Sequence, residues 1–263
     1  MVEISHLTKA YKKHKVVDDF SLTVDVPVFG FLGQNGAGKT TIMKMVVGLL
    51  RPSAGTIMLD GAPSGSEASK RRMGYMPETP YFYEHMTGLE FVRFCDELNG
   101  SHGERRGAGK NGHTEHYEAL LKRVGIYDAR NDEVHTYSKG MRQRLGFAQA
   151  LVNDPEYLFL DEPLDGLDPI GRREMKAVMH ELKKEGRKIF LNTHILYDVE
   201  EVCDEVGVIH EGKLLYAGSV KAFCAGKPLE ERFVEMVGAH TGRAIAAAGR
   251  AGVDAGASAP PAK

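Results

Sequence analysis

Gly33-Gln34-Asn35-Gly36-Ala37-Gly38-Lys39-Thr40 is the stretch that decides the reading of this chain. It satisfies the pattern G-x-x-x-x-G-K-[ST]. Upstream, Val24, Val26, Val28, Phe29, Phe31 and Leu32 predict a buried strand over 24–32 with a tight glycine exit. Downstream, Ile42, Met45, Val46 and Leu49 fall on one face of a helix over 42–50, stopped by Pro52, Ser53 and Gly55. Strand, glycine loop and helix in that order form an anion cradle. The glycines let successive backbone N–H groups curl inward, and the helix adds its positive N-terminal end. Lys39 is placed to reach β- and γ-phosphates, Thr40 to ligate Mg2+ and Thr41 to donate to an α-phosphate.

A second signal lies downstream. Tyr157-Leu158-Phe159-Leu160 reads as a buried strand that delivers Asp161 and Glu162 at its C-terminal end. Ligands of open α/β sheets bind at that edge. Asp161 fits a Mg2+-holding acid and Glu162 a base for the attacking water. An acid pair after an apolar run says little alone; beside a phosphate loop it says a nucleotide hydrolase.

Composition agrees. In 263 residues, 42% hydrophobic and 27% charged side chains exclude wholesale disorder and a fibre. Thirty-four basic against 36 acidic residues give a net charge of -2, which disfavours nucleic acid as a partner. The three cysteines, Cys95, Cys203 and Cys224, form no C-x-x-C pair, which fits a reducing compartment. The opening MVEISHLTKA lacks a secretory h-region, and no apolar run nears a membrane span of about 20 residues. The expectation is a cytoplasmic chain whose membrane role needs a separate partner.

Along the chain, Thr56–Leu59 with Asp60-Gly61 reads as strand and turn. From Glu78 to about Ala150 helical spacing takes over (Leu89, Val92; Leu120, Leu121, Val124; Leu145, Ala148, Leu151), which predicts a helical subdomain inserted at 86–151. Within it, 99–116 carries glycines, charges and His102, His113 and His116, read as a flexible solvated insertion rather than a metal tract. The α/β pattern resumes with the stripe Met175, Val178, Met179 and Leu182, strands at 189–191 and 206–209, and a hairpin through Leu214–Tyr216. Glu230–Val237 is helical in spacing and packs on the core or on a neighbour. From 241 to 263 the Ala/Gly-rich tail is expected to be disordered. The fold class is α/β: a mixed, mostly parallel sheet with an antiparallel portion and the helical insertion.

One further stretch narrows the family. Tyr137-Ser138-Lys139-Gly140-Met141-Arg142-Gln143 resembles the signature sequence of ATP-binding cassette (ABC) ATPases. Tyr11, the phosphate loop, Glu78, Asp165-Gly166-Leu167-Asp168 and His194 follow the family's order, and the resemblance spans about residues 1–220. It implies a RecA-like P-loop NTPase over 1–240, with a core of about 1–85 and 152–220. It also implies ATP and Mg2+ as cofactors, and a dimer in which each ATP is held by one copy and sealed by the other. By the same likeness Tyr11 stacks on adenine, Gly33 to Thr41 grip the phosphates, Ser138 and Gly140 meet the opposite copy's γ-phosphate, and Asp168 communicates across the dimer. Lys39, Glu162 and His194 take part in hydrolysis, and Thr40, Asp161 and Glu78 hold the metal.

The chain departs from the commonest pattern in two places. Lys139 and Met141 replace a glycine and a glutamine, adding a charge beside the opposite phosphate. Glu78, in Met76-Pro77-Glu78, stands where most members carry glutamine; it resembles the exporter branch with simple six-helix permeases, or serves as a cap for the next turn. The expected function is an ATPase subunit, peripheral on the cytoplasmic face of the membrane, that drives a separate permease. Tyr81, Phe82 and Tyr83 offer that permease an aromatic anchor, or else belong to the core. The rival is a soluble cassette ATPase acting on the ribosome or DNA, which one phosphate loop per chain and near-neutral charge disfavour.

Overall fold

Val28–Leu32, Tyr157–Asp161 and Lys188–Asn192 are apolar almost throughout and buried on both faces, which requires a parallel sheet covered on each side. The computed structural model describes residues 1–98 and 109–241. In chain order its strands are β1 (Val2–Tyr11), β2 (His14–Val24), β3 (Val28–Leu32), β4 (Ala54–Leu59), β5 (Ala62–Pro63), β6 (Met73–Met76), β7 (Tyr157–Asp161), β8 (Lys188–Asn192), β9 (Glu205–His210) and β10 (Lys213–Ser219). Its helices are α1 (Lys39–Val46), α2 (Glu67–Lys70), α3 (Gly88–Leu98), α4 (Gly109–Arg123), α5 (Lys139–Leu151), α6 (Pro169–Lys184), α7 (Leu196–Val202), α8 (Val220–Cys224) and α9 (Leu229–Thr241).

Two sheets form. The larger runs β10-β9-β3-β8-β7-β6, parallel except for the β9–β10 hairpin. The smaller runs β2-β1-β4-β5 and is antiparallel. Side chains alternate across the large sheet. Val28, Leu32, Leu158, Leu160, Ile189 and Leu191 join the core beneath the helical subdomain. Phe29, Phe31, Phe159 and Phe190 face the other way, onto Ile42 and Met43 of α1 and the inner side of the small sheet. Asp161 and Asn192 keep the register of this second set, so the sheet's polar ends point at α1.

Several expectations are corrected. The strand over 24–32 is two strands: Val24 ends β2, and Pro27, which has no N–H for a central ladder, precedes β3. The following helix starts at Lys39, not Ile42. Residues 109–116 are not a solvated loop but the first half of α4. His113 is buried in phase with Tyr117, Leu120, Leu121 and Val124, and His116 Nε2 lies 3.1 Å from the Val152 carbonyl oxygen. Residues 99–108, with His102, and the tail from 242 lie outside the described residues. Phe82 is core, edge-on to Phe91 at 5.1 Å, so only Tyr81 and Tyr83 of the aromatic trio are exposed. In α9, Leu229 and Val237 pack into the same core as Val220 and Phe223, which answers where 230–237 goes.

Candidate nucleotide site

β3, β6, β7 and β8 run parallel, so their C-terminal ends share one edge. The phosphate loop leaves β3, Glu78 follows β6, Asp161 and Glu162 end β7, and Asn192 closes β8 two residues before His194. At that edge lies an open cavity of about 370 Å3, whose walls include Gly36, Lys39, Thr40, Thr41, Glu78, Glu162 and His194. That volume lies within the range of small-ligand sites.

The loop needs its glycines for two distinct reasons. Gly38, at φ +106°, occupies left-handed backbone, and a Cβ there would also stand 2.9 Å from the Val16 carbonyl oxygen. At Gly33 a Cβ would lie 2.5 Å from the Ile209 carbonyl oxygen, so β9 can pass only a glycine. Ala37 is buried, and its N–H closes the turn onto the Gln34 carbonyl at 3.0 Å. Lys39 Nζ donates to the carbonyls of Gly33 (2.6 Å) and Gln34 (3.2 Å), so its ammonium bridges the mouth of the loop. Burial pulls the Lys39 pKa down, while the negative charges of Glu162, Asp161 and Glu78 oppose that. A phosphate chain entering this cradle would add further negative charge beside the lysine.

Asp161 is fully buried. Its Oδ1 accepts from Thr40 Oγ1 at 3.3 Å and from Asn192 Nδ2; Asn192 Nδ2 also lies 3.4 Å from Thr40 Oγ1. Its Oδ2 has no donor, nor does Asn192 Oδ1 have one. Burial pushes the Asp161 carboxyl pKa up, and the charges of Glu78 and Glu162 push it further; the bonds from Thr40 and Asn192 act against both. A buried carboxylate oxygen without a donor, beside a threonine hydroxyl and other acids, suits a hard divalent cation that prefers oxygen ligands. These residues therefore fit Mg2+.

Glu162 has φ +52°, a left-handed conformation that costs a non-glycine residue about 1–3 kcal/mol. That reversal breaks the strand's alternation and turns Glu162 toward the same crevice as Asp161. Two bonds hold the reversed peptide: its N–H donates to the Asn192 carbonyl (2.8 Å), and its carbonyl accepts from Gln143 Nε2 (2.7 Å). The carboxylate Oε2 lies 3.0 Å from His194 Nδ1 and 3.4 Å from the His194 N–H.

Three predicted residues stand elsewhere. Tyr11 is 52% exposed at the end of β1, with the Lys9 ammonium 5.1 Å from its ring centroid, and it does not line the cavity. Ser138 caps α5, its Oγ accepting from the Met141 N–H at 3.2 Å. Gly140 lies against Leu167 and the Gly166 carbonyl. Neither lines the cavity of its own chain. Lys139 does not present a free charge: its Nζ is 2.8 Å from Asp165 Oδ2, and its stem lies across Gly166. Asp168 caps α6 through the Gly171 N–H at 2.7 Å.

Asn192 and Gln143 hold the acids in place, yet sequence reasoning did not single them out. Their one signal is a polar amide set into an apolar strand end or the buried face of a helix.

Residues 17–165, more than half of the chain, match the family model described as ABC transporter. The chain belongs to the ABC transporter family. It is an ATP-binding subunit of that family and an ATPase. It is 43% identical over 84% of its length to an uncharacterized ABC transporter ATP-binding protein of Nostoc sp., covering 67% of that protein. It is 41% identical over 82% of its length to the bacitracin transport ATP-binding protein BcrA of Bacillus licheniformis, covering 68% of it. Among solved structures, an ATP-binding subunit of an ABC transporter superposes with a TM-score of 0.79 at 29% identity, over 90% of this chain and 99% of that one. No helix among the described residues is long and apolar enough to cross a membrane.

Proposed function

We propose that this ABC subunit hydrolyses MgATP in a dimer and thereby drives a separate integral-membrane permease, in the direction of export, from the cytoplasmic face of the membrane. The observation that carries this reading is the convergence of Lys39, Thr40, Glu162, His194 and Glu78 on one cavity at the sheet edge, with Asp161 buried behind Thr40. Lys39 and the loop N–H groups would bind the β- and γ-phosphates, and Thr41 would reach the α-phosphate. Thr40 and Asp161 would hold Mg2+, with Glu78 at the cavity wall; the ion would supply charge neutralisation. Glu162 would orient and deprotonate water, and His194 would keep its carboxylate turned toward the reacting phosphate.

Ser138 and Gly140 lie outside their own chain's cavity, which supports a dimer in which each would close the other's site. Tyr11, exposed at the end of β1, would stack on adenine. The permease would dock beside the helical subdomain. A cavity of about 460 Å3 between α1 and the helical subdomain is walled by Val47, Leu49, Met73, Tyr75, Cys95 and Leu98, of which Leu49 and Leu98 are exposed. Export rests on the Met76-Pro77-Glu78 likeness and on relatives named for bacitracin transport.

Glu162→Gln tests the chemistry. Removing a general base lowers turnover by about 10²–10⁴-fold, whereas ATP affinity, set by the phosphate loop, is expected to hold. A variant that turns over ATP at the original rate would remove Glu162 from the mechanism.

A further inference from the structure

Away from the nucleotide cavity, three side chains with metal-ligating atoms meet on the surface of the helical subdomain. His85 lies between β6 and α3, and Glu133 and His135 belong to the turn before α5. Glu133 Oε2 is 3.6 Å from His85 Nδ1 and 3.0 Å from His135 Nδ1, and the two ring centroids are 6.2 Å apart. One ligand atom from each lies within 4.8 Å of the other two, the one such grouping among the described residues, and all three side chains are exposed. In a tetrahedral zinc site with bonds of about 2.0–2.1 Å, neighbouring ligand atoms stand about 3.3–3.4 Å apart. The two histidine–carboxylate distances bracket that value.

The backbone beneath them is fixed before any ion arrives. The His135 N–H donates to the Glu84 carbonyl at 3.0 Å and the Val134 N–H to the Met86 carbonyl at 2.9 Å, and Thr87 pairs with Glu133 as an isolated bridge. From α5, Arg142 grips the Glu84 carboxylate through both terminal nitrogens at 2.6 and 2.7 Å and donates to the His135 carbonyl at 3.3 Å. The proposed ATP chemistry uses none of the three ligating residues.

We propose that His85, Glu133 and His135 form a binding site for a divalent transition metal of the zinc class. Two imidazoles and one carboxylate suit zinc, nickel or copper, whereas Mg2+ and Ca2+ prefer all-oxygen shells. Exposure leaves a fourth position for water. The bound ion replaces the present histidine–carboxylate contacts with bonds. It thereby ties the segment that follows Glu78 to the turn that launches the helix behind Ser138.

The test is calorimetric titration of Zn2+ into chelator-treated, tag-free full chain, with Mg2+ in excess to occupy the Thr40–Asp161 site. The expected result is one Zn2+ per chain, with affinity falling by at least about tenfold in His85→Ala and in His135→Ala. A Zn2+-dependent rise in melting temperature is expected to vanish in the double variant. Because both histidines are exposed, the variants should melt in the absence of metal where the original does, and that melt checks their fold. Zn2+ affinity in the double variant within twofold of the original overturns the site, and so does an original chain that gives neither binding heat nor a melting shift.

Discussion

At Asp161 stability and function pull apart. Its carboxylate is fully buried, one oxygen has no donor, and burial raises its pKa above the ordinary carboxylate value. The folded protein thus holds this proton more tightly than the unfolded chain, so the residue's contribution to stability falls as pH rises through the interval above 3.8. Asp161→Asn is therefore expected to raise the melting temperature of the metal-free protein at pH 7, and the gap should close as pH drops toward the unfolded carboxylate's range. Mg2+ should stabilise the original chain and not the variant, whose ATPase should be lost. A melting temperature lowered by the substitution at pH 7 would show that the charge is already well compensated without a cation.

Among the elements, α5 supports the site from behind. Its first turn carries Ser138 and Gly140, and one turn on, buried Gln143 holds the carbonyl of left-handed Glu162 at 2.7 Å. Gln143→Ala leaves that carbonyl without its donor, at a cost of about 1–3 kcal/mol. The expected outcome in denaturant titration is a destabilisation of that size. Turnover should fall while ATP affinity holds, because the phosphate loop is carried by β3 and α1; a variant with unchanged stability and turnover would show the bond to be incidental. The same element shows what a sequence can and cannot display. The phosphate loop, the Asp161-Glu162 strand end and the signature stretch were legible because their chemistry demands fixed residue types at fixed spacing. Gln143 and Asn192 were not, since their partners lie 19 and 31 positions away and only the folded sheet edge brings them together. The positive φ of Glu162 left no trace either, because glutamate is not a residue that announces left-handed backbone. In α4, the charged and glycine-rich start hid a helical register that His113 shares with Tyr117 and Leu121.

For the whole molecule, the two faces of the large sheet divide the labour. The α1 side carries the aromatic core and the polar strand ends that build the nucleotide cavity; the opposite side carries the helical subdomain with Ser138, Gly140, and the exposed Tyr81 and Tyr83. In the proposed reading one chain supplies the phosphate-facing groups, and its signature residues, which lie outside its own cavity, serve a second copy. The measurement that tests this most directly is the mass in solution of the Glu162→Gln chain, by light scattering, with MgATP and with MgADP. The account predicts a dimer with MgATP, a monomer with MgADP, and loss of the dimer when Ser138→Arg is added to Glu162→Gln. A chain that binds MgATP yet stays monomeric at every concentration, or whose dimer is indifferent to Ser138→Arg, would contradict it.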